Sequence, residues 1–556
     1  MSEFDVIVVG SGISGGWAAK ELTERGLKVA LIERGRNIEH GKDYITEWSN
    51  PWDMHNNGIG KSKDFDKKFG LISKMYPTIN QYNEHFFCNF ETDPYLTECE
   101  DPFIWARGYQ LGGRSLVWGR QCIRFSDSNF DANKKDGFGI DWPIRYKDIS
   151  PWYDKVEKFI GVSGSNEGLE YWPDGHYQPP FEMNSIEKHF KEVIEREYKG
   201  RIVTIGRTAN LTVKKKGRST CNSRSHCSRG CSFGAYFSSI SSTLPAARKT
   251  GNLETICDAV AEKLIVDSKS GQVKSLQYID AKSGERKEVK AKKFFLCASA
   301  FNSVKILLNS KSELNPNGLG NSSGNLGRYI MDHIEGAYTI ASFSIFKEEI
   351  DQGKRPCPII ITPFANTTES KEFYRSYYYQ CGADRIAWAA LGAKPGIGRN
   401  YSVAGVEAGP WIFRMKAVGE CLPRKENRVT LDENSFDRFG TPQLKIEFSY
   451  SNNDLKLMED AQKEAVNMIF AAGGRVIKSS VKNGNPGSAI HEMGGARMGN
   501  DPSESVVNMW NQLHDAKNVY VTDGACMASS ACQNPSLTYM ALTARACKHA
   551  ADTMLD

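Results

Sequence analysis

The sequence carries almost no net charge for its length. Its 556 residues include 71 basic and 66 acidic side chains, which leave a balance of +5. Nucleic acids and anionic membrane surfaces attract strongly basic proteins, so this composition gives no reason to expect either partner. Long apolar runs are missing as well. No stretch approaches the roughly 20 residues of a membrane-spanning helix, and we expect no membrane span in this chain.

Internal repeats and low-complexity tracts are also missing. Residues 1–5 lead directly into the first predicted strand, without the basic stretch and apolar core of a signal peptide, so we expect no signal peptide in this chain. The remaining composition, 40% hydrophobic and 25% charged, is ordinary for a globular enzyme. A chain of this length exceeds the size of one hydrophobic core, which predicts two domains.

Spacings typical of a disulfide framework are missing too, although the chain has 14 cysteines. Eleven of them are scattered, and several, such as Cys297, stand in apolar runs where a free thiol behaves as a small hydrophobic side chain. We interpret these eleven as buried thiols. The other three, Cys221, Cys227 and Cys231, form a cluster with a different interpretation.

The N-terminus has the pattern of a dinucleotide-binding turn. Asp5 to Val9 is a β-branched run typical of a buried parallel strand, and Gly10, Gly12 and Gly15 follow with the spacing G-x-G-x-x-G before a helical stretch. These glycines make the turn, admit a pyrophosphate and let helix pack on strand. Glu33, at the end of the second predicted strand, can bind a ribose hydroxyl and disfavours the 2′-phosphate of NADP. The motif does not choose between FAD and NAD.

Later segments predict an α/β protein with two domains. Residues 292–298 form a predicted buried strand followed by a helix, whereas residues 337–450 contain alternating strands typical of an antiparallel sheet. We therefore predict a Rossmann-like nucleotide-binding domain and a mainly antiparallel-sheet substrate domain. The predicted bounds are 1–140, 202–336 and 481–556 for the first domain, and 337–480 with 141–201 for the second.

Two polar residues near the C-terminus are suited to alcohol oxidation. His491 lies in a glycine-rich stretch from Ile490 to Gly499, and Asn534 stands before Pro535 at the start of a predicted helix. A histidine with an ordinary pKa of about 6.5 can take a hydroxyl proton near neutral pH. A structural role for His491 and a helix-capping role for Asn534 are the alternatives. If both residues act beside a dinucleotide, the two ends of the chain must meet.

In this order, the motifs resemble the glucose-methanol-choline (GMC) oxidoreductases, which are FAD-dependent alcohol and sugar oxidoreductases. The resemblance runs nearly end to end and includes a glycine-rich loop at 107–119 and the stretches 297–310 and 326–333. It implies the GMC fold, FAD as the cofactor, and His491 and Asn534 as the catalytic pair. His491 would take the hydroxyl proton while a hydride passes to flavin N5. Val117 stands where one branch of the family has a histidine that bonds the flavin, so we expect a non-covalent FAD.

The predicted cofactor-binding residues come from several separate segments. They are Gly10, Gly12, Gly15, Glu33, Arg34, Gly112, Gly113, Ser115, Trp118, Ala298, Asp523, Pro535 and Ser536. Gly112 and Gly113 would let the backbone pass close to a flat ring and a phosphate, which a side chain would block. The helix predicted from Ser536 to Ala550 would direct its positive N-terminal end at the flavin N1 and C2 oxygen.

Cys221, Cys227 and Cys231 lie in one loop, 218–234, with the spacing C-x5-C-x3-C. Three thiols match no four-ligand zinc template, because the nearby His226 abuts Cys227, whereas iron–sulfur clusters use cysteines at such close spacings. The loop resembles that of bacterial FAD-dependent sugar dehydrogenases, in which a [3Fe-4S] cluster takes electrons from the flavin. A disulfide plus one thiol, or three plain thiols, are the alternatives. Basic residues around the loop could balance a cluster or dock an acidic acceptor.

The resemblance predicts a sugar dehydrogenase that oxidises a hydroxyl of a glucoside or related sugar, with C3 and a 3-keto product as the first candidate. Alternatives are a glucose 1-dehydrogenase, a polyol dehydrogenase, an oxidase that uses oxygen, and a non-catalytic flavin-binding protein. Such relatives work with a small helper subunit that carries the export signal and with a cytochrome c. We therefore expect a sugar substrate, a helper subunit and a cytochrome c or other electron acceptor as partners. The expected location is periplasmic by co-export, or cytoplasmic.

Overall fold

Two large sheets organise the chain in a computed structural model, which describes residues 3–58, 60–76, 78–98, 101–350, 354–385, 409–481 and 485–555. The strands are β1 Glu3–Val9, β2 Val29–Ile32, β3 Leu96–Thr97, β4 Val162–Ser163, β5 Tyr177–Gln178, β6 Val203–Ile205, β7 Leu253–Ile256, β8 Ala259–Val266, β9 Val273–Asp280, β10 Arg286–Leu296, β11 Ala337–Phe343, β12 Ile359–Ile361, β13 Tyr377–Arg385, β14 Trp411–Gly419, β15 Arg428–Phe436, β16 Pro442–Glu447, β17 Arg475–Val481 and β18 Val519–Val521.

Helices cover the faces of these sheets. They are α1 Ile13–Thr23, α2 Phe65–Met75, α3 Asp127–Asp136, α4 Tyr146–Ile160, α5 Ser185–Glu197, α6 Thr243–Lys249, α7 Ala300–Asn309, α8 Asn452–Ala471 and α9 Ser536–Leu555. Among the helices within the described ranges, none is both long enough and apolar enough to span a lipid bilayer.

The first sheet has seven strands in the order β7-β2-β1-β10-β9-β8, with β18 also paired to β10. The pairs β7–β2, β2–β1, β1–β10 and β10–β18 are parallel, and β9 and β8 extend the sheet in antiparallel pairs. The buried stretches 6–9 of β1 and 29–32 of β2 consist of apolar residues, as expected for parallel strands covered on both faces. This sheet, with α1 and α9 packed on it, confirms the predicted Rossmann-like α/β fold.

The register of the parallel strands brings four strand ends together. Val9 pairs with Ile32 on one side and with Leu296 on the other, and Leu296 pairs with Val521. The residues that follow β1, β2, β10 and β18 therefore start at the same level of the sheet. In open α/β sheets, ligands bind at this carboxyl edge.

The second sheet has six strands in the order β17-β11-β14-β13-β12-β6, and every pair is antiparallel. This confirms the predicted antiparallel-sheet part of the fold. Side chains alternate between its two faces. Tyr377 and Tyr379 point toward α8, where their hydroxyl groups donate to Asp460 and to the carbonyl of Ala461. Tyr378 therefore lies on the opposite face of β13.

Several elements depart from the predicted division of the chain. The strand β6 pairs with β12 of the second sheet, although residues 202–336 are predicted in the nucleotide-binding domain. Helix α4, from the range predicted for the substrate domain, packs on α9 through a 2.8 Å hydrogen bond between Tyr153 and Thr538. The strand predicted near Leu444 is β16, which joins β15 and β3 in a separate sheet. Residues 386–408 of the predicted substrate domain lie outside the described residues.

The scattered cysteines are packed as thiols where the structure describes them. Nine of the eleven are buried, namely Cys88, Cys122, Cys297, Cys357, Cys381, Cys421, Cys526, Cys532 and Cys547. Cys257 is half-buried, and Cys99 lies outside the described residues. All 13 cysteines in the described part of the chain are free.

Candidate active site

The N-terminal glycine turn is fixed by close backbone contacts. Gly10 has a φ of +92°, and a Cβ atom there would lie 2.4 Å from the carbonyl oxygen of Cys297. A Cβ on Gly15 would lie 1.7 Å from the carbonyl oxygen of Gly10. Nothing lies within 4 Å of a Cβ placed on Gly12. The first and third glycines are therefore required by packing, whereas the second leaves open space.

The glycine-rich loop packs directly on this turn, although the two are about 100 residues apart in sequence. The amide of Gly112 donates to the hydroxyl of Ser11 at 2.8 Å, and a Cβ on Gly113 would lie 3.4 Å from Cα of Gly12. Both loop glycines have positive φ angles, +91° and +50°. Ser115 donates to the carbonyl of Gly112 and holds the loop in shape. The two glycine motifs thus form one surface without side chains.

Buried carboxylates mark the ends of β2 and β18. Glu33 accepts from the amide of Ser11 at 3.1 Å and from the amide of Gly35 at 2.9 Å, and burial raises its pKa. Asp523 accepts from Ser303 at 2.5 Å and from the amide of Ala525 at 3.0 Å. Burial raises the pKa of Asp523 to about 6. Both carboxylates therefore hold the loops at the carboxyl edge of the sheet.

One elongated cavity runs along this edge. Ten of the 13 predicted cofactor-binding residues line it: Gly10, Gly12, Glu33, Arg34, Gly113, Ser115, Trp118, Ala298, Asp523 and Ser536. The other three, Gly15, Gly112 and Pro535, are adjacent in sequence to this lining. Val117 is on the cavity wall, where an aliphatic side chain cannot bond a ligand covalently. His491 and Asn534 also line the cavity, so the structure brings the two ends of the chain together.

The backbone around His491 is held by a buried carboxylate. Asp332 accepts from the amide of His491 at 2.9 Å and from the amide of Ala489 at 3.2 Å. Met331 and Met493 exchange two backbone hydrogen bonds of 2.8 and 2.9 Å. The segment from 326 to 333, which contributed to the family resemblance, is thus the support of the histidine segment.

The residue before His491 has a strained backbone. Ile490 has a φ of +57°, a left-handed conformation that is an outlier for a β-branched side chain. Such a residue costs about 1–3 kcal/mol and persists only where its surroundings impose the conformation. Here the carbonyl of Ile490 accepts from Arg114 at 3.3 Å, and its amide donates to the carbonyl of Gly487 at 3.0 Å. The strain lies directly beside the predicted base.

Both ring nitrogens of His491 have partners. Nε2 lies 3.2 Å from Nδ2 of Asn534, and Nδ1 lies 2.8 Å from Nδ1 of His333. Burial, followed by the nearby groups His333, Lys416 and Arg114, lowers the pKa of His491 well below its ordinary value. His333 is fully buried, and burial lowers its pKa to about 4. Both imidazole rings are therefore neutral at physiological pH.

Asn534 is oriented by the second sheet. Its Oδ1 accepts from the hydroxyl of Tyr378 at 2.5 Å, and Nε2 of Gln380 donates to that hydroxyl at 2.5 Å. The helix α9 starts at Ser536, as predicted, and the amide of Tyr539 donates to the carbonyl of Pro535 at 3.0 Å. The side chain of Asn534 thus joins the start of this helix to β13.

A second cavity meets the first at the histidine. Its volume is about 520 Å³, and His491, Asn534, Trp118, Gln380, Glu335 and Lys416 are among its lining residues. Lys416 and Glu335 form a 2.9 Å ion pair within this wall. His491 and Asn534 line both cavities. They therefore stand between a space built from nucleotide-binding motifs and a space with both polar and apolar walls, which has the size of small-molecule sites.

The three clustered cysteines lie close together beside the second cavity. All three are half-buried, and Cys221 and Cys227 line that cavity. Burial raises the pKa values of Cys221 and Cys231. The other two cysteines raise the pKa of Cys221 further, and Glu47 followed by Cys227 raises that of Cys231. Within the described ranges, no set of three or more His, Cys, Asp or Glu side chains is arranged to hold one metal ion.

The basic residues predicted around this loop have different surroundings. Arg224 forms an ion pair with the buried Glu47, which also accepts from the amide of Ser232 at 3.0 Å. Arg218 is buried and donates to backbone carbonyls, one of them that of Gly234 at 2.8 Å. Lys214 and Lys216 are exposed. The loop is therefore anchored by Arg218 and Arg224, and Lys214 and Lys216, which precede it, face solvent.

Sequence reasoning assigned no role to three residues that contact the predicted catalytic pair: His333, Tyr378 and Gln380. His333 stands at the end of a motif that contributed to the family resemblance, and this position could have indicated that it lies in the site. For Tyr378 and Gln380 the sequence holds no such signal, because Tyr377, Tyr378 and Tyr379 form a run that does not reveal which face of the strand is which.

Comparison with protein-family models matches most of the chain. The models described as GMC oxidoreductase match residues 5–335, for the N-terminal part of the family, and residues 423–543, for its C-terminal part. These ranges include the glycine turn, the glycine-rich loop, His333, His491 and Asn534. The match confirms the predicted resemblance.

Similar proteins cover almost the whole chain at low identity. The 2-methyl-1,2-propanediol dehydrogenase of Mycolicibacterium austroafricanum is 27% identical, with 98% of this chain and 94% of that protein aligned. The fructose dehydrogenase large subunit of Gluconobacter japonicus is 25% identical, with 98% and 96% aligned. The crystal structure of pyridoxine 4-oxidase from Mesorbium loti superposes with a TM-score of 0.62 at 17% identity, over 98% of this chain and 99% of that one. At that identity, the superposition shows the fold alone.

The contrast between Gly12 and Gly15 yields a testable prediction. Replacing Gly12 with alanine adds a methyl group that contacts nothing in the chain, so the unfolding temperature of the ligand-free protein should not change. The same methyl group blocks the close approach of a pyrophosphate. We expect dinucleotide binding to weaken at least about tenfold, or about 1.4 kcal/mol, as measured by flavin absorbance retained after desalting.

Gly15→Ala is the matched comparison. Its methyl group meets the carbonyl of Gly10, so this variant should lose thermal stability in the ligand-free state as well as binding. Unchanged dinucleotide retention in Gly12→Ala would contradict the assignment of this turn to the pyrophosphate.

Proposed function

The chain belongs to the GMC oxidoreductase family, and on this premise we propose that it is an FAD-dependent dehydrogenase that oxidises a secondary hydroxyl of a sugar. Members of this family oxidise CH–OH groups of alcohols and sugars. The observation that carries the proposal is the position of His491 and Asn534 on the walls of two adjoining cavities. One cavity is built from dinucleotide-binding motifs, and the wall of the other includes polar and charged side chains such as Gln380 and Lys416.

The residues along the first cavity fit FAD. The surface free of side chains at Gly12 and Gly113 suits a pyrophosphate, and Glu33 suits a ribose hydroxyl. The positive end of α9 at Ser536 suits the part of the flavin that becomes negative on reduction. FAD, when bound, supplies an acceptor for the hydride that leaves the alcohol carbon. Val117 supports a non-covalent cofactor.

His491 and Asn534 supply the two contacts that a hydroxyl group needs. The unprotonated Nε2 of His491 accepts the hydroxyl proton as general base. The amide of Asn534 donates a hydrogen bond to the hydroxyl oxygen and, being neutral, does not compete for the proton. Because burial lowers the pKa of His491, the base is ready to accept a proton at neutral and mildly acidic pH.

The second cavity supports a polyhydroxylated substrate. Its wall carries amide and charged groups, such as Gln380 and the ion pair of Lys416 with Glu335. These groups can form hydrogen bonds with several hydroxyl groups of one substrate. We take the C3 hydroxyl of a glucoside, with a 3-keto product, as the first candidate. Oxidation at C1 of glucose, or of a polyol, is the second.

The cysteine loop supports a [3Fe-4S] cluster as the route by which electrons leave. In such a cluster each thiolate binds a different iron, so Cys221, Cys227 and Cys231 need not converge on one point as they would around a single ion. Two of these cysteines, Cys221 and Cys227, line the same cavity as His491. An electron route out of the protein favours a dehydrogenase over an oxidase that reduces oxygen. It also agrees with a small helper subunit and a cytochrome c as partners, and with periplasmic work after co-export.

Loss of the base should slow flavin reduction strongly. His491→Ala should lower the rate of flavin reduction by sugar about 10²–10⁴-fold, the usual contribution of a general base, while the flavin spectrum stays unchanged. The measurement is anaerobic stopped-flow absorbance at saturating substrate. His176→Ala changes a histidine that lies outside both cavities and should have no effect. Undiminished reduction in His491→Ala would show that another group takes the proton.

The lowered pKa of His491 predicts a broad pH range for activity. The base must be unprotonated, and its folded-state pKa lies below the ordinary value of about 6.5. Flavin reduction at low substrate concentration should therefore stay constant as the pH falls from 8 to below 6.5, and decline only at more acidic pH. A decline centred at or above pH 6.5 would contradict the buried, neutral state of this histidine.

The proposed [3Fe-4S] cluster predicts that the protein contains iron and that its electrons pass to a dye and not to oxygen. The purified protein should contain iron and acid-labile sulfide in the ratio of a [3Fe-4S] centre, with an electron paramagnetic resonance signal in the oxidised state. Cys221→Ser should remove the signal and slow dye reduction, whereas Cys257→Ser, which changes a half-buried thiol outside the loop, should do neither. An iron-free protein of full activity would disprove the cluster. Stoichiometric hydrogen peroxide from substrate in air would identify an oxidase instead.

A further inference from the structure

The proton positions on His333 are fixed by two backbone carbonyls. Nε2 of His333 lies 2.8 Å from the carbonyl oxygen of Ala531 and 3.3 Å from that of Ser530. A carbonyl oxygen can only accept a hydrogen bond, so Nε2 must carry a hydrogen atom. The ring is fully buried and neutral, and a neutral imidazole has only one such hydrogen. Nδ1 of His333 is therefore an acceptor.

This acceptor determines the tautomer of His491. The two Nδ1 atoms lie 2.8 Å apart with the ring planes at 82°, a geometry that requires one hydrogen atom between them. Since Nδ1 of His333 has none, Nδ1 of His491 carries it. Nε2 of His491 is then unprotonated, and it is this nitrogen that lies in the cavity beside Asn534.

The hydrogen bonds on the other side of His491 form one line with those described above, and their donors point in the same direction along it. Gln380 donates to the hydroxyl of Tyr378, which donates to Oδ1 of Asn534, and this turns Nδ2 of Asn534 toward His491. Five successive hydrogen bonds thus run from β13 to the carbonyl of Ala531, and each group donates to the next. Bonds aligned in this way polarise and strengthen one another.

We propose that His333 is a positioning residue that holds His491 in the Nδ1–H tautomer, so that Nε2 is always the nitrogen free to take the substrate proton. The inference rests on the proposed function of His491 as the base. An alcohol hydroxyl is both a donor and an acceptor. In the line described above it would accept from Asn534 and donate to His491, and the direction of every other bond would be retained.

The neighbouring charged groups do not offer an alternative control of the tautomer. Lys416 is paired with Glu335 at 2.9 Å, and Arg114 with Glu492 at 2.5 Å. Asp332 contacts the histidine segment through the backbone amides and not through the ring. The ring of His491 is thus held by His333 on one side and Asn534 on the other.

Two variants of similar size separate this role from simple packing. His333→Asn can place a carbonyl oxygen near the former Nδ1 and keep an acceptor for His491, whereas His333→Leu fills the space without an acceptor. We expect the leucine variant to reduce flavin about 10²-fold more slowly than the wild-type protein, the lower part of the range for a general base. The asparagine variant should recover most of the loss. Flavin content and thermal unfolding should be measured for both variants.

Nitrogen NMR of ¹⁵N-histidine-labelled protein tests the tautomer without turnover. The signal of His491, assigned by its loss in His491→Gln, should show the Nδ1–H tautomer in the wild-type protein and in His333→Asn, and should shift toward the Nε2–H tautomer in His333→Leu. In Tyr378→Phe, which breaks the line at its other end, the Nδ1–H tautomer should persist while flavin reduction slows.

The wild-type spectrum alone can overturn the proposal, even if a variant fails to fold. An Nε2–H tautomer of His491 in that spectrum would refute it, as would equal rates in His333→Asn and His333→Leu. If instead His491 shows the Nδ1–H tautomer but His491→Ala retains full activity, the control of the tautomer by His333 stands and the assignment of His491 as the base fails.

Discussion

Parallel pairing of β10 with β1 and with β18 is the constraint on which the whole site depends. Strand β10 lies between the first strand of the chain and the last, and its register with both sets where their carboxyl ends fall. Moving one strand by a single residue would shift its end by about 3.3 Å and turn its side chains to the other face. Gly10 would then lose its contact with Cys297, and Asp523 would move away from Ser303. Residues nearly 500 positions apart share one site because this register is maintained.

The features predicted correctly from the sequence are those that depend on short-range chemistry. The glycine turn shows in the spacing of three glycines within six residues, and one of its contacts, Gly15 on Gly10, is local. The helix predicted after residues 292–298 is observed as Ala300–Asn309. Antiparallel strands after Ala337 were visible from alternation alone. In contrast, the sequence of α4 shows which side is apolar and not which partner covers it. The partner proves to be α9, which comes almost 400 residues later.

Dependence on contacts between distant segments also explains which parts of the site the sequence did not reveal. Roles for His333 and Tyr378 depend on contacts between segments about 150 residues apart or more, and on the face of a strand that each side chain occupies. The segment 326–333 holds the backbone of His491, and the second sheet orients Asn534. Neither sheet contains a complete catalytic arrangement, so the chemistry requires that both domains pack against each other in one orientation.

The left-handed backbone at Ile490 makes the site a compromise between stability and function. Natural proteins rarely reach the highest stability available to their fold, and local strain near catalytic groups is one reason. A search for more heat-resistant variants of this chain would favour glycine at position 490, because glycine adopts that backbone without steric cost. A glycine at this position would also loosen the backbone that fixes the direction in which the chain enters His491. Durability and precise alignment of the base are therefore competing demands at this one position.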